Sequence, residues 1–154
     1  FAKEGNKVLQ ALLDAAMEFD NSKMYPGLPE YFDNQGRGLY AYLTGAASWY
    51  MLTIITSVYG VHGELGDLVI EPALMPQQYN EKGDAKVSLE FAGHRFDISV
   101  HNPDKLEPGD AQVKRALCDD VKVENVTGNS VRIPRHAIEM LSTDKCHMVE
   151  IYIE

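Results

Sequence analysis

From Leu39 to Val61 the chain carries no charged residue, and nothing else in it restricts the fold as strongly. The stretch reads LYAYLTGAASWYMLTIITSVYGV. A membrane span needs about 20 mostly apolar residues, so crossing a bilayer is the first possibility to weigh. Thr44, however, is a good N-cap, Gly45 is a poor interior helix residue, and Gly60 stops the run. A helix between those limits has about 15 residues and a length of about 23 Å, too short for a bilayer. Thr44, Ser48, Thr53, Thr56 and Ser57 dilute its apolarity, and no basic cluster flanks it. The expectation is a helix enclosed by protein, with no membrane attachment. Trp49, Tyr50, Met51, Leu52, Ile54, Ile55, Val58 and Tyr59 point in all directions around such a helix. One amphipathic neighbour cannot cover them, so either the rest of the chain wraps this helix or further helices belong around it.

That one neighbour lies at residues 6–20, where Val8, Leu9, Leu12, Leu13, Ala16, Met17 and Phe19 recur at helical spacing opposite Lys7, Gln10, Asp14 and Glu18. Between the two helices, Pro26, Gly27 and Pro29 exclude regular structure, and an irregular loop is expected through Glu30, Tyr31, Phe32 and Asp33 to Gly38. After Gly60 the period changes from 3.6 to 2. Leu68–Ile70 is a short apolar strand closed by Pro72, and 86–91 and 95–100 alternate strictly across a tight Ala92-Gly93-His94 connection. Further strands are expected at 112–117, 121–126, 130–133 and 147–153, the last drawing its apolar positions from Met148, Val149, Ile151 and Ile153. Short strands punctuated by turns, with no long helix between them, read as an antiparallel β-sandwich. The fold class is therefore α+β, helices first and sandwich second.

A formal net charge of -9 repels phosphodiester backbones and anionic lipid, which argues against nucleic acid as a partner. With 154 residues, 45% of them hydrophobic, a packed core needs no disulfide or metal staple. The two cysteines, Cys118 and Cys146, have neither metal-ligand nor framework spacing and read as reduced thiols of a cytoplasmic protein.

Few residues carry chemistry. Thr44-Gly45-Ala46-Ala47-Ser48 at a helix start is a candidate anion site, because the first turn leaves N–H groups unpaired at the positive end of the dipole and Gly45 lets an oxyanion approach the backbone. An N-cap with a packing role is the plainer reading of the same residues. Arg37, between two glycines, could add a guanidinium, or pair with Asp33. Glu30, among Leu28, Pro29, Tyr31 and Phe32, suits hydrogen bonding to sugar hydroxyls with rings stacking on the sugar's apolar face, or is a loop carboxylate facing water. The five histidines show no ligand spacing, which argues against a metal site. Asp119-Asp120 and Glu150 to Glu154 read as solvated strand ends.

GRGLYAYLTGAASWY, then YGVHGELGDLVIEPALMP, then FAGHRFDISVHNP together resemble the C-terminal part of the cellobiose and chitobiose phosphorylase family, glycoside hydrolase family ninety-four, which has relatives among cyclic glucan synthases. The matching residues are Tyr42-Leu43-Thr44-Gly45, Ala47, Trp49, Leu68, Ile70, Glu71-Pro72, Pro76, Arg95 and Asn102-Pro103, and the resemblance runs from about residue 6 to the end. It implies that residues 1–62 are the last helices of an (α/α)6 catalytic barrel and 63–154 a C-terminal β-sandwich domain. The remainder of that barrel would be a partner, and Phe1 would mark a fragment boundary. The implied activity is inverting phosphorolysis of a β-linked glucosyl disaccharide, with inorganic phosphate as co-substrate, no cofactor and a homodimeric assembly. Thr44 and Gly45 would contact phosphate, Glu30 would touch the sugar, and the catalytic Asp would lie upstream of Phe1, leaving this chain inactive alone. Ala46 replaces the Ser or Thr common after the Thr-Gly pair, at the expense of one hydrogen bond of about 0.5–1.5 kcal/mol. The alternative is a stand-alone carbohydrate-binding or interaction sandwich.

Overall fold

In a computed structural model the chain is a mixed α+β protein of two compact units, Phe1–Ile54 and Ile55–Glu154. The structure describes residues 1–24, 27–40 and 45–154. The first unit opens on helix α1 (Ala2–Met17), followed by a single turn α2 (Phe19–Ser22). The junction between them is held by Ser22, which is fully buried and donates through Oγ to the Ala16 carbonyl at 2.8 Å. Lys23 ends the turn in the left-handed region at φ 58°.

Where an irregular loop was expected, Tyr31–Phe32 (β1) and Gly38–Leu39 (β2) form a small antiparallel hairpin. Its connection is an Asx-type turn that the loop composition only hinted at: the Asp33 carboxylate accepts from the Gln35 and Arg37 amides at 2.8 and 2.9 Å. Helix α3 (Gly45–Thr53) follows and passes into a π-helical turn, Ile54–Val58. None of the α3 residues is buried. Trp49 is 68% exposed and Met51 58%. The Tyr50 hydroxyl ties α3 to α1 by donating to the Leu9 carbonyl at 3.3 Å.

The second unit holds two sheets. Strands β3 (Val61–Glu64), β4 (Asp67–Ile70), β10 (Ser130–Ile133) and β9 (Val126–Thr127) form one, in the order β3-β4-β10-β9 and antiparallel throughout. The other runs β5-β6-β11-β7-β8, from β5 (Asp84–Phe91), β6 (His94–His101), β11 (Cys146–Ile153), β7 (Val113–Cys118) and β8 (Val121–Lys122). Alternation built these elements: Phe96, Ile98 and Val100 of β6 and Val149, Ile151 and Ile153 of β11 are all within 2% of full burial, and their neighbours in sequence face the other side. The β5–β6 and β7–β8 connections are two-residue turns with both residues at positive φ, Ala92 and Gly93 at 50° and 79°, and Asp119 and Asp120 at 49° and 65°. This mirror-image turn matches the twist of the strands it joins.

Four sequence expectations need correction. The sheets are not wholly antiparallel, because β11 pairs with β6 in parallel. A parallel partner requires a long crossover, and the chain from Asn102 to Lys145 supplies it by building β7–β10 on the way. Met148 lies on the face opposite Val149 and Ile151 and is 45% exposed. The expected strand at 121–126 is broken into β8 and β9, which belong to different sheets. A short helix, α4 (Arg135–Glu139), appears where none was expected. Its cap is Pro134, which offers no side-chain acceptor, and the Asp67 carboxylate instead takes the Arg135 amide at 2.8 Å from the β4 strand. Arg132 is held between Asp67, at 3.0 Å, and Glu64, clamping β10 to the β3–β4 turn. Among the described residues no helix is long and apolar enough to cross a membrane.

Candidate functional site

The residues singled out in the sequence all belong to the first unit. Thr44, with Tyr42 and Leu43, lies outside the described residues. Gly45 is exposed as the first residue of α3. Among the described residues a Cβ added to it would meet Trp49, at 3.4 Å from Cδ1, which is ordinary contact.

Glu30 and Arg37 are both exposed and flank the hairpin. Glu30 donates its amide to the Leu39 carbonyl at 3.2 Å, at the open end, whereas Arg37 accepts from the Asp33 amide at 3.0 Å, at the turn. Three strand positions, about 10 Å, therefore separate them along the ribbon. Among the described residues no hydrogen bond or ion pair joins Glu30, Arg37 and Gly45. Asp33 binds the Arg37 backbone amide, so the acid–base pairing weighed from the sequence takes a different form. Tyr31 and Tyr40, 49% and 60% exposed, bring their rings to 5.6 Å at the open end of the hairpin, and Tyr40 holds a positive φ of 60°. An aromatic residue in the left-handed region costs about 1–2 kcal/mol.

The most elaborate polar centre was not legible in the sequence. His147 on β11 is fully buried, with Nδ1 at 2.7 Å from Asp119 Oδ2 and Nε2 at 2.7 Å from the Ser142 carbonyl. Asp119 also receives Lys145 Nζ at 2.7 Å and the Met148 amide at 3.0 Å. Burial pushes its carboxyl up, but the Lys145, His147 and Met148 hydrogen bonds outweigh that and leave it at about 2. Asp119 is therefore no solvated strand end. The one available signal was parity: His147 shares its face with Val149, Ile151 and Ile153. Nothing in the sequence matched it to an acid across the β7–β8 turn.

A second row crosses the outer face of the same sheet. Asp84, His101, Tyr152 and Arg115 are register neighbours on β5, β6, β11 and β7. Asp84 Oδ1 lies 2.7 Å from His101 Nδ1, the His101 ring stacks on Tyr152 at 4.7 Å, and the Arg115 guanidinium covers the other side of Tyr152 at 3.9 Å. The His101 contact holds the Asp84 carboxyl below its ordinary range.

Two clefts accompany these centres. One of about 350 Å³ in the first unit is walled by Leu13, Met17, Leu28, Ala47, Tyr50 and Met51. The other, about 640 Å³, opens in the second unit between the 121–125 ribbon and α4, with Cys118 and Ile133 in its lining and Val121, Met140 and Leu141 at its sides. Burial, with Asp119 nearby, pushes the Cys118 thiol up to about 11, so it is an apolar wall group at neutral pH and no nucleophile. Among the described residues no group of three acids, histidines or cysteines could hold a metal ion.

No protein-family model matches the sequence, and no curated protein matches it.

Proposed function

We propose that this chain is the C-terminal portion of a glycoside phosphorylase, contributing Thr44 and Gly45 to a phosphate site and Glu30 and Arg37, from the two ends of one hairpin, to the substrate side. The observation that carries the reading is α3: an uncharged, largely apolar helix whose Trp49, Met51 and Leu52 stay exposed among the described residues of the first unit. A soluble helix of that composition belongs inside a bundle, and the last helices of an (α/α)6 barrel fit the requirement, the second unit then forming the sandwich-like domain that follows them. Gly45, open at the first turn, gives phosphate oxygens access to unpaired N–H groups. Tyr31 and Tyr40 offer exposed rings at the open end of the hairpin, where Glu30 is also exposed, residue types suited to a sugar with apolar C–H faces and hydroxyl edges. In this reading the acid that protonates the glycosidic oxygen comes from the remainder of the barrel, phosphate attacks the anomeric carbon, and the enzyme is a cytoplasmic homodimer.

The test is phosphate-dependent cleavage of cellobiose by the full-length enzyme carrying Gly45→Ala or Thr44→Ala. Among the described residues a Cβ at Gly45 makes ordinary contact with Trp49, so the substitution should raise the phosphate KM by about tenfold or more with little change in folding. Unchanged phosphate KM in both variants removes the helix start from the site.

A carbohydrate-binding or interaction module is the second reading, favoured by the self-contained core of the second unit. It predicts that the 154-residue chain binds cello-oligosaccharides without phosphate; the fragment reading predicts no measurable binding.

A further inference from the structure

His147 belongs to the second unit, whereas the residues of the proposed phosphate and sugar sites belong to the first. Its two ring nitrogens face two acceptors, a carboxylate and a backbone carbonyl, each at 2.7 Å. A neutral imidazole has one N–H to give, and only the doubly protonated ring donates to both. We propose that His147 is a proton-operated latch, which in its doubly protonated form pins the 140–145 segment to the five-stranded sheet through the Ser142 carbonyl and frees that segment when one proton leaves.

The groups facing the ring are few. Asp119 comes from the β7–β8 turn, and Lys145, from the segment before β11, reaches the ring only through the Asp119 carboxylate. From β6, His94 lies edge-on at 5.9 Å and Phe96 at 5.7 Å. The Asp119 contact is the one the ring keeps: that carboxylate is fixed by Lys145 and the Met148 amide as well, and it favours the N–H that faces it. Loss of the other proton falls on Ser142. Its carbonyl is then left with His94 Nδ1 at 3.4 Å, a long and weak alternative. The other backbone ties of this segment are local: the Met140 amide to the Ala137 carbonyl at 3.3 Å, the Leu141 amide to the Ile138 carbonyl at 3.0 Å and the Asp144 amide to Ser142 Oγ at 3.2 Å, while Lys145 Nζ on Asp119 anchors the segment's far end whatever the state of the ring. Met140 and Leu141 are walls of the 640 Å³ cleft, so opening the latch reshapes that cleft.

The experiment needs no substitution. On the whole chain, ¹⁵N NMR of the His147 ring reports how many ring nitrogens carry protons across pH, and amide exchange at 140–145, corrected for intrinsic rates, reports the segment. Below the ring's titration both nitrogens should read protonated and the segment should be protected. Above it, exchange at 140–145 should accelerate by about tenfold in step with the ring, while Ile98 and Val100 of β6 do not change. In Asp119→Asn, which withdraws the anion, the step should move to lower pH. A segment that stays protected while the ring is neutral, or a step that Asp119→Asn leaves in place, overturns the latch.

Discussion

Acid sensitivity at Asp119 offers the sharpest quantitative check on the second unit. The side chain is 23% exposed and carries three hydrogen bonds that only an ionised carboxylate accepts in full. Its folded-state value is depressed, so the stability it contributes is complete above its ordinary value of 3.8 and disappears as pH falls through about 2. That displacement, at about 1.4 kcal/mol per pH unit, amounts to about 2 kcal/mol. The perturbation is Asp119→Asn, and the assay is urea unfolding followed on the NMR amide signals of β11, which isolates the second unit from the first. Above pH 5 the variant should be less stable than the natural chain by at least about 2 kcal/mol, because the buried His147 ring and the exposed Lys145 also lose a carboxylate partner. Between pH 4 and pH 2 the natural chain should lose that 2 kcal/mol and the gap should shrink. The remaining carboxylates titrate equally in both proteins and cancel. Parallel stability curves from pH 5 to pH 2 would refute the reasoning.

Three further outcomes follow from local geometry. A Cβ at Gly60, φ +70°, would stand 2.0 Å from the Glu71 carbonyl oxygen, whereas one at Gly93, φ +79°, meets nothing within 4 Å; Gly60→Ala should cost more than about 3 kcal/mol and Gly93→Ala about 1–2 kcal/mol, compared by thermal melting. Trp49→Ala should cost this chain no more than about 1 kcal/mol, because the ring is 68% exposed. Phe96→Ala, which empties a fully buried site beside His147, should cost about 3–5 kcal/mol by the same melt.

Much of the secondary structure could be read directly, since period 2 and period 3.6 are set by which residues neighbour one another along the chain. A hairpin of 86–91 with 95–100 followed from alternation, but the pairing extends it to 84–101 and narrows the Ala92-Gly93-His94 connection to Ala92-Gly93, with Ala92 taking a positive φ that only its glycine neighbour adopts without strain. The short helix α4 escaped because the carboxylate that caps it stands 68 residues away, on Asp67. So did the division of 121–127 between two sheets, for a run of valines and charges satisfies the pattern of either. Glu30, Arg37 and Gly45 were visible as chemistry, but the hairpin that sets Glu30 and Arg37 at opposite ends is a product of backbone pairing.

By itself the sequence determined that Gly45–Val58 is helical, that its apolar residues surround the axis, and that alternating strands follow Gly60. Those are consequences of local sterics and the spacing of apolar side chains. Only the tertiary structure decided that β11 inserts between β6 and β7, parallel to one and antiparallel to the other. That insertion carries His147 to Asp119, 28 residues back along the chain. Such a pairing is fixed by which burial of the whole sheet leaves the fewest polar groups unsatisfied, a quantity that no window of the sequence contains.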